Sequence, residues 1–262
     1  MKQFILNSEP DKDTVRLEGN DYHYLVNVRR LAVGEFFPAL LPNGKETLIQ
    51  IVSINHGVLT GKCNQNNEGA EGNVPASLPP VILLQALPKG DKMDLIVRQA
   101  AEGGITEIVP FLTEFSVGKT GIGGQKFSRW ERIIKEARQQ SGSRVATALH
   151  KPLTLSELFD YWQKLREEGA LGLLFHHQVL EQDCLHSYLN NSPDSVALAI
   201  GPEGGFSAKE VSLFMENGFK PLTIGDTILR TETAALYCSA AVRILLMEKN
   251  SWKLKQANPN GE

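Results

Sequence analysis

Apolar and polar residues alternate in short runs through the first quarter of the chain, a pattern typical of β-strands with one buried face. Turn sequences separate several of these runs, among them Pro42-Asn43-Gly44 and Asn55-His56-Gly57. Residues 20–23 can cap one helix, which would run to Arg30. We therefore expect a small β-barrel with one helical interruption, and its strands are predicted at 3–6, 14–17, 35–40, 47–54 and 58–62.

Residues 64–80 differ from both neighbouring segments because they are polar, rich in glycine and proline, and without hydrophobic periodicity. Such a composition is typical of a linker. We place a domain boundary there, which gives a β-barrel domain over residues 1–72, a second domain over residues 73–250, and a polar tail over residues 251–262.

Beyond the linker, strands alternate with helices. Residues 81–86, 171–175 and 195–200 form near-continuous apolar runs, as expected for parallel strands that are covered on both faces. A further strand is predicted at 105–111, and a helix begins at Asp91 and runs to Glu102. This alternation predicts an α/β fold with a mainly parallel sheet.

One segment is strongly basic, although the whole chain carries a formal net charge of −3. Residues 116–151 hold eight basic and two acidic residues, a net charge of about +6. A helix in this segment would bury Trp130, Ile133, Ile134 and Ala137, and would leave outside the basic residues Arg129, Arg132, Lys135 and Arg138. The patch is either a local RNA-binding surface or the solvated face of a helix.

The overall composition limits the classes of protein that need to be considered. A hydrophobic content of 42% in 262 residues allows a sizeable core, which excludes a wholly disordered chain. The three scattered cysteines Cys63, Cys184 and Cys238 suggest neither disulfides nor a structural zinc site. With no signal peptide and no apolar run of membrane-spanning length, we expect a soluble protein of the cytoplasm.

The segment with the most chemical information is Gly201-Pro202-Glu203-Gly204-Gly205-Phe206-Ser207, which follows a predicted strand. Its glycines allow unusual backbone angles and close approach of a ligand, and Ser207 with Glu210 forms a capping-box sequence. We interpret it as a ligand site at the carboxyl edge of the sheet, the alternative being a tight strand-to-helix turn. Neither the dinucleotide fingerprint nor a phosphate-binding loop sequence is present.

A second such segment follows about twenty residues later. A strand is predicted at 222–224, Gly225 ends it, and Thr231 can cap the next helix. Glu232 would lie near the positive end of that helix, and Arg230 is a candidate for a buried or ligand-facing cation. His176 and His177 are adjacent on a predicted strand and would point to opposite faces, so we expect a structural place or a place at the edge of the cofactor and no metal site there.

Together the two segments resemble the paired cofactor motifs of the RsmE family of ribosomal RNA methyltransferases, members of the SPOUT superfamily. The matching residues are Ile200-Gly201-Pro202-Glu203-Gly204-Gly205-Phe206-Ser207 with Glu210, and Ile224-Gly225 with Ile228-Leu229-Arg230-Thr231-Glu232-Thr233-Ala234. Three further segments resemble parts of the family: His23-Tyr24-Leu25 with Val28-Arg29-Arg30, Lys89-Gly90-Asp91-Lys92-Met93-Asp94, and Gln139-Gln140-Ser141-Gly142. The resemblance covers nearly the whole chain.

This resemblance implies a SPOUT-type α/β domain with a C-terminal trefoil knot, preceded by a PUA-like β-barrel. It implies methylation of N3 of a uridine in small-subunit (16S) ribosomal RNA with S-adenosylmethionine and without a metal. Arg230 is expected to stabilise the developing uridine anion, with Glu232 and Glu203 as lesser catalytic candidates; the alternatives are a salt bridge at the edge of the core for Arg230 and helix capping for Glu232. The residues expected to bind the cofactor are Phe175, Ile200, Gly201, Glu203, Gly204, Gly205, Ile224, Gly225, Leu229, Thr231, Thr233 and Ala234.

The resemblance also implies partners. SPOUT enzymes are typically homodimers, and the RNA backbone is expected to contact Arg29, Arg30, Arg132, Arg138 and Arg144. Two alternatives stay open at this point: a non-catalytic RNA-binding or ribosome-assembly protein, and an enzyme that methylates a different RNA base. A different nucleotide-binding α/β enzyme is disfavoured by the missing fingerprints.

Overall fold

The chain forms two compact units, which are described here one at a time. One unit is Met1–Val74 with Arg138–Ala146, and the other is Pro75–Ala137 with Thr147–Glu262. The computed structural model describes residues 4–64, 78–116, 123–178 and 181–250. The predicted boundary between residues 72 and 73, most of the predicted linker and the predicted tail at 251–262 lie outside the described residues.

The smaller unit contains one five-stranded sheet with the order β1-β3-β4-β5-β2. β1 is parallel to β3, and the other neighbours are antiparallel. One face carries the apolar residues of the alternating pattern, including Phe37, Ile49 and Leu59, which are fully buried. The strands confirm the predicted set; they are β1 (Phe4–Ile5), β2 (Thr14–Leu17), β3 (Phe36–Leu40), β4 (Glu46–Asn55) and β5 (Val58–Asn64).

The helix predicted in this unit is interrupted. A short α1 (Gly19–Tyr22) continues as a π-helical segment, His23–Val28. The Arg29 N–H closes this segment by donating to the carbonyl of Tyr24 at 2.9 Å, a five-residue spacing that defines the wider helix. The wider turn places Leu25 in the core, where it is fully buried.

The larger unit is built on a six-stranded, all-parallel sheet with the order β11-β9-β10-β6-β7-β8. Its strands are β6 (Val81–Ala86), β7 (Glu107–Phe111), β8 (Ala148–Leu149), β9 (Ala170–Phe175), β10 (Ser195–Ile200) and β11 (Lys220–Leu222). The helices that follow the strands are α2 (Lys92–Glu102), α3 (Gly124–Ser141), α4 (Leu155–Glu167), α5 (Leu185–Leu189), α6 (Ala208–Glu216) and α7 (Thr231–Asn250).

Helices cover both faces of this sheet, which explains its near-continuous apolar strands. Leu83 packs in a cluster with residues of α2 and α7, whereas the next residue, Leu84, packs on the opposite face with α4 and α6. All six residues of β6 are buried. The predicted α/β fold with a parallel sheet is confirmed.

Strand β11 lies two residues earlier than the predicted strand at 222–224. It includes Pro221, which has no N–H to donate. Among the described strands β11 lies at the edge and pairs only with β9. One side of its backbone therefore needs no ladder partner, and proline is tolerated. Helix α4 was not predicted, although Thr154 and Glu157 form a complete capping box at its start.

Candidate functional site

The carboxyl ends of three neighbouring strands open onto one cavity in the larger unit. In the parallel register, Ile200 of β10 lies beside Phe175 of β9, which lies beside Leu222 of β11. The cavity has a volume of about 670 Å³, within the range of roughly 300–1,000 Å³ that is common for ligand pockets. Its walls are residues 175–177, 200–206 and 222–231, with Ala234 and Cys238.

The first wall is the glycine-rich loop 201–206, and its shape depends on glycine at two positions. Gly205 has a φ of +70°, in the left-handed region that side chains disfavour. A Cβ at Gly204 would lie 2.9 Å from the Cβ of Phe115, so close that Phe115 would have to move. The predicted need for glycine in this loop therefore has a definite geometric origin.

This loop ends in the predicted capping box at the start of α6. The Ser207 N–H donates to one carboxylate oxygen of Glu210 at 2.8 Å, and the Glu210 N–H donates to Ser207 Oγ at 3.4 Å. The other carboxylate oxygen accepts from the Glu114 N–H at 2.8 Å. Glu210 is buried and its oxygens are bound to the backbone, so it fixes the loop and is not available for chemistry.

The second wall is residues 223–230. The Thr223 hydroxyl donates to the carbonyl of His176 at 3.1 Å, which ties this wall to the end of β9. Arg230 lines the cavity and is exposed, and no acidic residue in the described part of the chain forms an ion pair with it. The expectation of a buried Arg230 is wrong, and the ligand-facing alternative stays a prediction.

Thr231 joins the two walls. Its hydroxyl donates to the carbonyl of Gly201 at 2.7 Å and accepts from Gln85 Nε2 at 3.0 Å. Gln85, near the carboxyl end of β6, is fully buried, and its Nε2 also donates to the carbonyl of Ala86 at 2.8 Å. Thr231 was predicted to cap α7, but the helix begins at Thr231 itself and the hydroxyl bonds to the first loop instead.

Glu203 and Glu232 both face Lys92, at the start of α2. Lys92 Nζ lies 2.7 Å from Glu203 Oε1 and 3.9 Å from Glu232 Oε2. Burial raises the pKa of Glu203, but the hydrogen bonds from Lys92 and from the Lys89 backbone outweigh it, so the pKa lies below its ordinary value. An ionised carboxylate with a lowered pKa is a weak proton acceptor.

His176 and His177 both line the cavity, so the expectation that they point to opposite faces is wrong. Strand β9 ends at Phe175, so the alternation of a strand does not apply to them, and their rings stack with centroids 4.6 Å apart. Burial lowers the pKa of His176 and the neighbouring His177 adds to this effect, although hydrogen bonds to the backbone of Gln178 and Phe206 oppose it. The His176 imidazole is therefore neutral at neutral pH.

Eleven of the twelve residues predicted to bind a cofactor line this cavity. Thr233 does not, because it lies on α7 two residues beyond Thr231, on another side of the helix, and is exposed. Among the catalytic candidates, Arg230 and Glu203 line the cavity, whereas Glu232 is absent from its walls.

The residues predicted to contact RNA divide into exposed and buried ones. The side chains of Arg132 and Arg144 are 70% and 62% exposed. Arg30 is exposed and Arg29 is half-buried. Arg138 is only 7% exposed, so its prediction as an RNA contact is wrong for this conformation. The reason is spacing: position 138 follows Ile134 by four residues, which places it on the buried stripe of α3.

A second cluster of ionisable side chains lies at the beginning of β7. Glu107 Oε2 lies 2.6 Å from His150 Nε2 and accepts from the Tyr161 hydroxyl at 2.9 Å. The hydrogen bond from His150 lowers the pKa of Glu107, and burial opposes it only in part. Because β7 begins at the amino edge of a parallel sheet, this cluster is separate from the cavity at the carboxyl edge.

Lys92 and Gln85 were not predicted to belong to this site, whereas His176 and His177 were considered for its edge. The partners of the first two lie more than one hundred residues away along the chain, so no local spacing reports them. Topology offers one signal: Gln85 and Lys92 flank the carboxyl end of β6, the same sheet edge as the cavity.

Two family models match the chain. An RNA methyltransferase domain matches residues 75–243, which include the whole cavity, and an RNA methyltransferase PUA domain matches residues 17–61. A ribosomal RNA small subunit methyltransferase E from Synechocystis sp. is 35% identical over 238 residues, covering 89% of this chain and 74% of that protein. The chain belongs to the ribosomal RNA small subunit methyltransferase E family.

Solved structures agree with this family assignment. A putative methyltransferase from Legionella pneumophila, in complex with the bound cofactor SAM, is 27% identical with a TM-score of 0.73 and covers 93% of this chain and 97% of that chain. A ribosomal RNA small subunit methyltransferase E from Neisseria gonorrhoeae, bound to S-adenosyl methionine, is 24% identical with a TM-score of 0.76. The match covers 94% of this chain and 98% of that chain, and it supports the fold. The predicted PUA-like domain and α/β methyltransferase domain are confirmed, and the trefoil knot stays a prediction.

None of the helices within the described residues is long and apolar enough to cross a membrane. The same residues contain no group of three or more His, Cys, Asp and Glu side chains arranged to hold a metal ion.

Proposed function

We propose that this family member uses S-adenosylmethionine to methylate N3 of a specific uridine in small-subunit (16S) ribosomal RNA, in the cytoplasm. The observation that carries the proposal is the cavity at the carboxyl edge of the sheet. Both segments that resemble the family's cofactor motifs form its walls, and Thr231 connects them.

The residues of the cavity fit this cofactor. Its walls combine apolar side chains, including Ile200, Leu222 and Leu229, with loop backbone that can bond to polar groups. Such a mixture suits an adenine ring together with the polar ends of an amino acid and a ribose. Bound there, S-adenosylmethionine would supply a methyl group activated by a sulfonium.

The chemistry at uracil explains why an exposed cation in the cavity matters. N3 lies on the Watson–Crick edge, so the base must be unpaired or flipped out to be reached. N3 also gives up its proton, which passes to solvent water, and negative charge develops on the base before the methyl group is transferred. Arg230, exposed at the cavity and without an ion-pair partner among the described residues, is placed to stabilise that charge.

We propose that Arg30, Arg132 and Arg144 contact the RNA backbone, because their side chains are exposed on a chain whose formal net charge is −3. Arg29, half-buried, is a weaker candidate. Binding through a few local cations is expected to depend strongly on salt concentration.

We further propose that two copies associate through α7. This helix exposes three large apolar side chains: Leu236 (43%), Tyr237 (53%) and Ile244 (50%). A small apolar groove of about 200 Å³ lies between α7 and α2. Large apolar side chains exposed in one patch are typical of an association surface. Sedimentation velocity of Ile244→Asp tests this: the wild type should be a dimer and the variant a monomer.

The decisive experiment transfers labelled methyl from S-adenosylmethionine to small ribosomal subunits, and separately to free 16S RNA, from cells that lack this protein. Nucleoside mass analysis should find 3-methyluridine at one site, and comparison of the two substrates shows which form is used. Arg230→Ala should lower kcat by about 10²–10³-fold, whereas Arg98→Ala, an exposed cation on α2, should not.

Other outcomes select other functions. A different methylated nucleoside would favour another RNA base as the target. RNA binding without any S-adenosylmethionine binding would favour the non-catalytic assembly protein. Normal turnover by Arg230→Ala would remove Arg230 from the mechanism.

A further inference from the structure

Lys92 is the one described cation that contacts carboxylates from both segments joined at Thr231. Glu203 belongs to the first cavity loop, and Glu232 belongs to the first turn of α7, directly after the second loop. One carboxylate oxygen from each lies within 3.9 Å of Lys92 Nζ. A single ammonium group on α2 therefore meets both segments.

The surroundings of Glu203 indicate a structural role for this contact. Its Oε1 accepts from Lys92 Nζ at 2.7 Å and from the Lys89 N–H at 3.1 Å, and its Oε2 lies 3.2 Å from the same N–H. Both oxygens are thus engaged by Lys92 and by the backbone just before α2, which holds the carboxylate in place.

The surroundings of Glu232 lead to the same conclusion. Its side chain is 14% exposed, and its Oε2 is shielded from solvent without a hydrogen-bond partner in the described part of the chain. A shielded carboxylate is costly unless an opposite charge is near, and the ammonium of Lys92 supplies that charge. Without Lys92, two partly buried carboxylates would be left close together.

We propose that Lys92 is a positioning residue, whose ammonium group fixes the first cavity loop relative to the start of α7 and so preorganises the cofactor site. The importance of this site for methylation rests on the proposed function. Glu203 and Glu232 act as the two arms of this contact, and neither transfers a proton.

Hydrogen exchange of the full chain without cofactor tests the contact directly. The Gly205 N–H donates to the Pro202 carbonyl at 2.9 Å in the first loop, and the Ala234 N–H donates to the Arg230 carbonyl at 2.7 Å in the first turn of α7. Lys92→Met should increase exchange at both amides by about tenfold, since loss of the contact makes local opening easier. Unchanged exchange at both amides would overturn the proposal.

Three further variants control for nonspecific effects. Lys92→Arg keeps the cation and should restore slow exchange, whereas Glu203→Gln should accelerate exchange at the Gly205 amide. Arg98→Met removes an exposed cation from the same helix and should leave both amides unchanged. If Arg98→Met accelerated exchange as much as Lys92→Met, the effect would reflect general loosening of α2 and the proposal would fail.

Cofactor titration and turnover connect the contact to function. Lys92→Met should raise the Kd for S-adenosylmethionine about tenfold, with kcat at saturation changed much less. Glu232→Gln should leave the pH profile of kcat unchanged. An unchanged Kd with a lower kcat, or loss of one limb of the pH profile, would contradict positioning. If the wild-type protein binds no S-adenosylmethionine, the proposed function fails, while the exchange experiment still decides the role of Lys92.

Discussion

Replacing Thr231 with valine should loosen the larger unit, because it removes the hydroxyl that joins the two cavity walls. Valine has nearly the same shape but cannot donate to the carbonyl of Gly201 or accept from Gln85, bonds of 2.7 and 3.0 Å in the wild-type protein. Thr231 is 4% exposed and Gln85 fully buried, so water does not readily replace the lost partner.

These contacts set the size of the expected loss in the free energy of unfolding. Leaving a buried polar group without its partner costs about 1–3 kcal/mol. Gln85 Nε2 keeps its bond to the carbonyl of Ala86, so the Gly201 carbonyl accounts for most of the loss. We expect the free energy of unfolding to fall by about 1–3 kcal/mol and the affinity for S-adenosylmethionine to fall as well.

Urea unfolding followed by tryptophan fluorescence measures this change, because Trp130 and Trp162 are 4% and 1% exposed and report on the larger unit. Thr233→Val, on the exposed side of the same helix, is the matched control and should stay within about 0.5 kcal/mol of wild type. A Thr231→Val protein as stable as this control would refute the reasoning.

Three further predictions concern single positions. Gly205→Ala should destabilise the protein by about 1–2 kcal/mol because of its left-handed backbone, and Gly123→Ala, in open space, should cost much less in the same unfolding assay. The pKa of Glu107 is lowered from 4.5, so its contribution to stability should be present above pH 4.5 and lost as the pH falls through the lowered value. The difference in unfolding free energy between wild type and Glu107→Gln should therefore vanish in acid. A difference that persists there would contradict the assignment. Arg132→Ala should weaken RNA binding at low salt and reduce the salt slope by about one, and an unchanged slope would mean that Arg132 lies outside the interface.

Much of the fold was predictable because the local pattern and the tertiary environment agree. Strand β6 begins and ends at the predicted residues, since a strand buried on both faces is apolar along its whole length. The hydrophobic pattern led to a wrong prediction at the edge of the buried stripe of α3. Arg138 belongs to the buried stripe of α3 by its spacing, yet its charge led to the opposite prediction.

The site was predictable as a set of segments but not as a set of contacts. Glycines and a capping box identify the loops around Gly205 and Thr231, because those residues have local geometric roles. By contrast, the contacts of Glu203 with Lys92 and of Thr231 with Gln85 span more than one hundred residues. Contacts between residues so far apart in the sequence follow from the strand order, which the sequence pattern does not determine.

The strand order of the larger unit also determines when this protein can fold during synthesis. Val81 of β6 pairs with Val196 of β10, more than one hundred residues later. β6 can pair early with β7, but its other edge must wait for β10, so folding is expected to be slow. A nascent chain shortened before α7 would carry the first family motif but only the first part of the second, and without Thr231 the two cavity walls would not be joined.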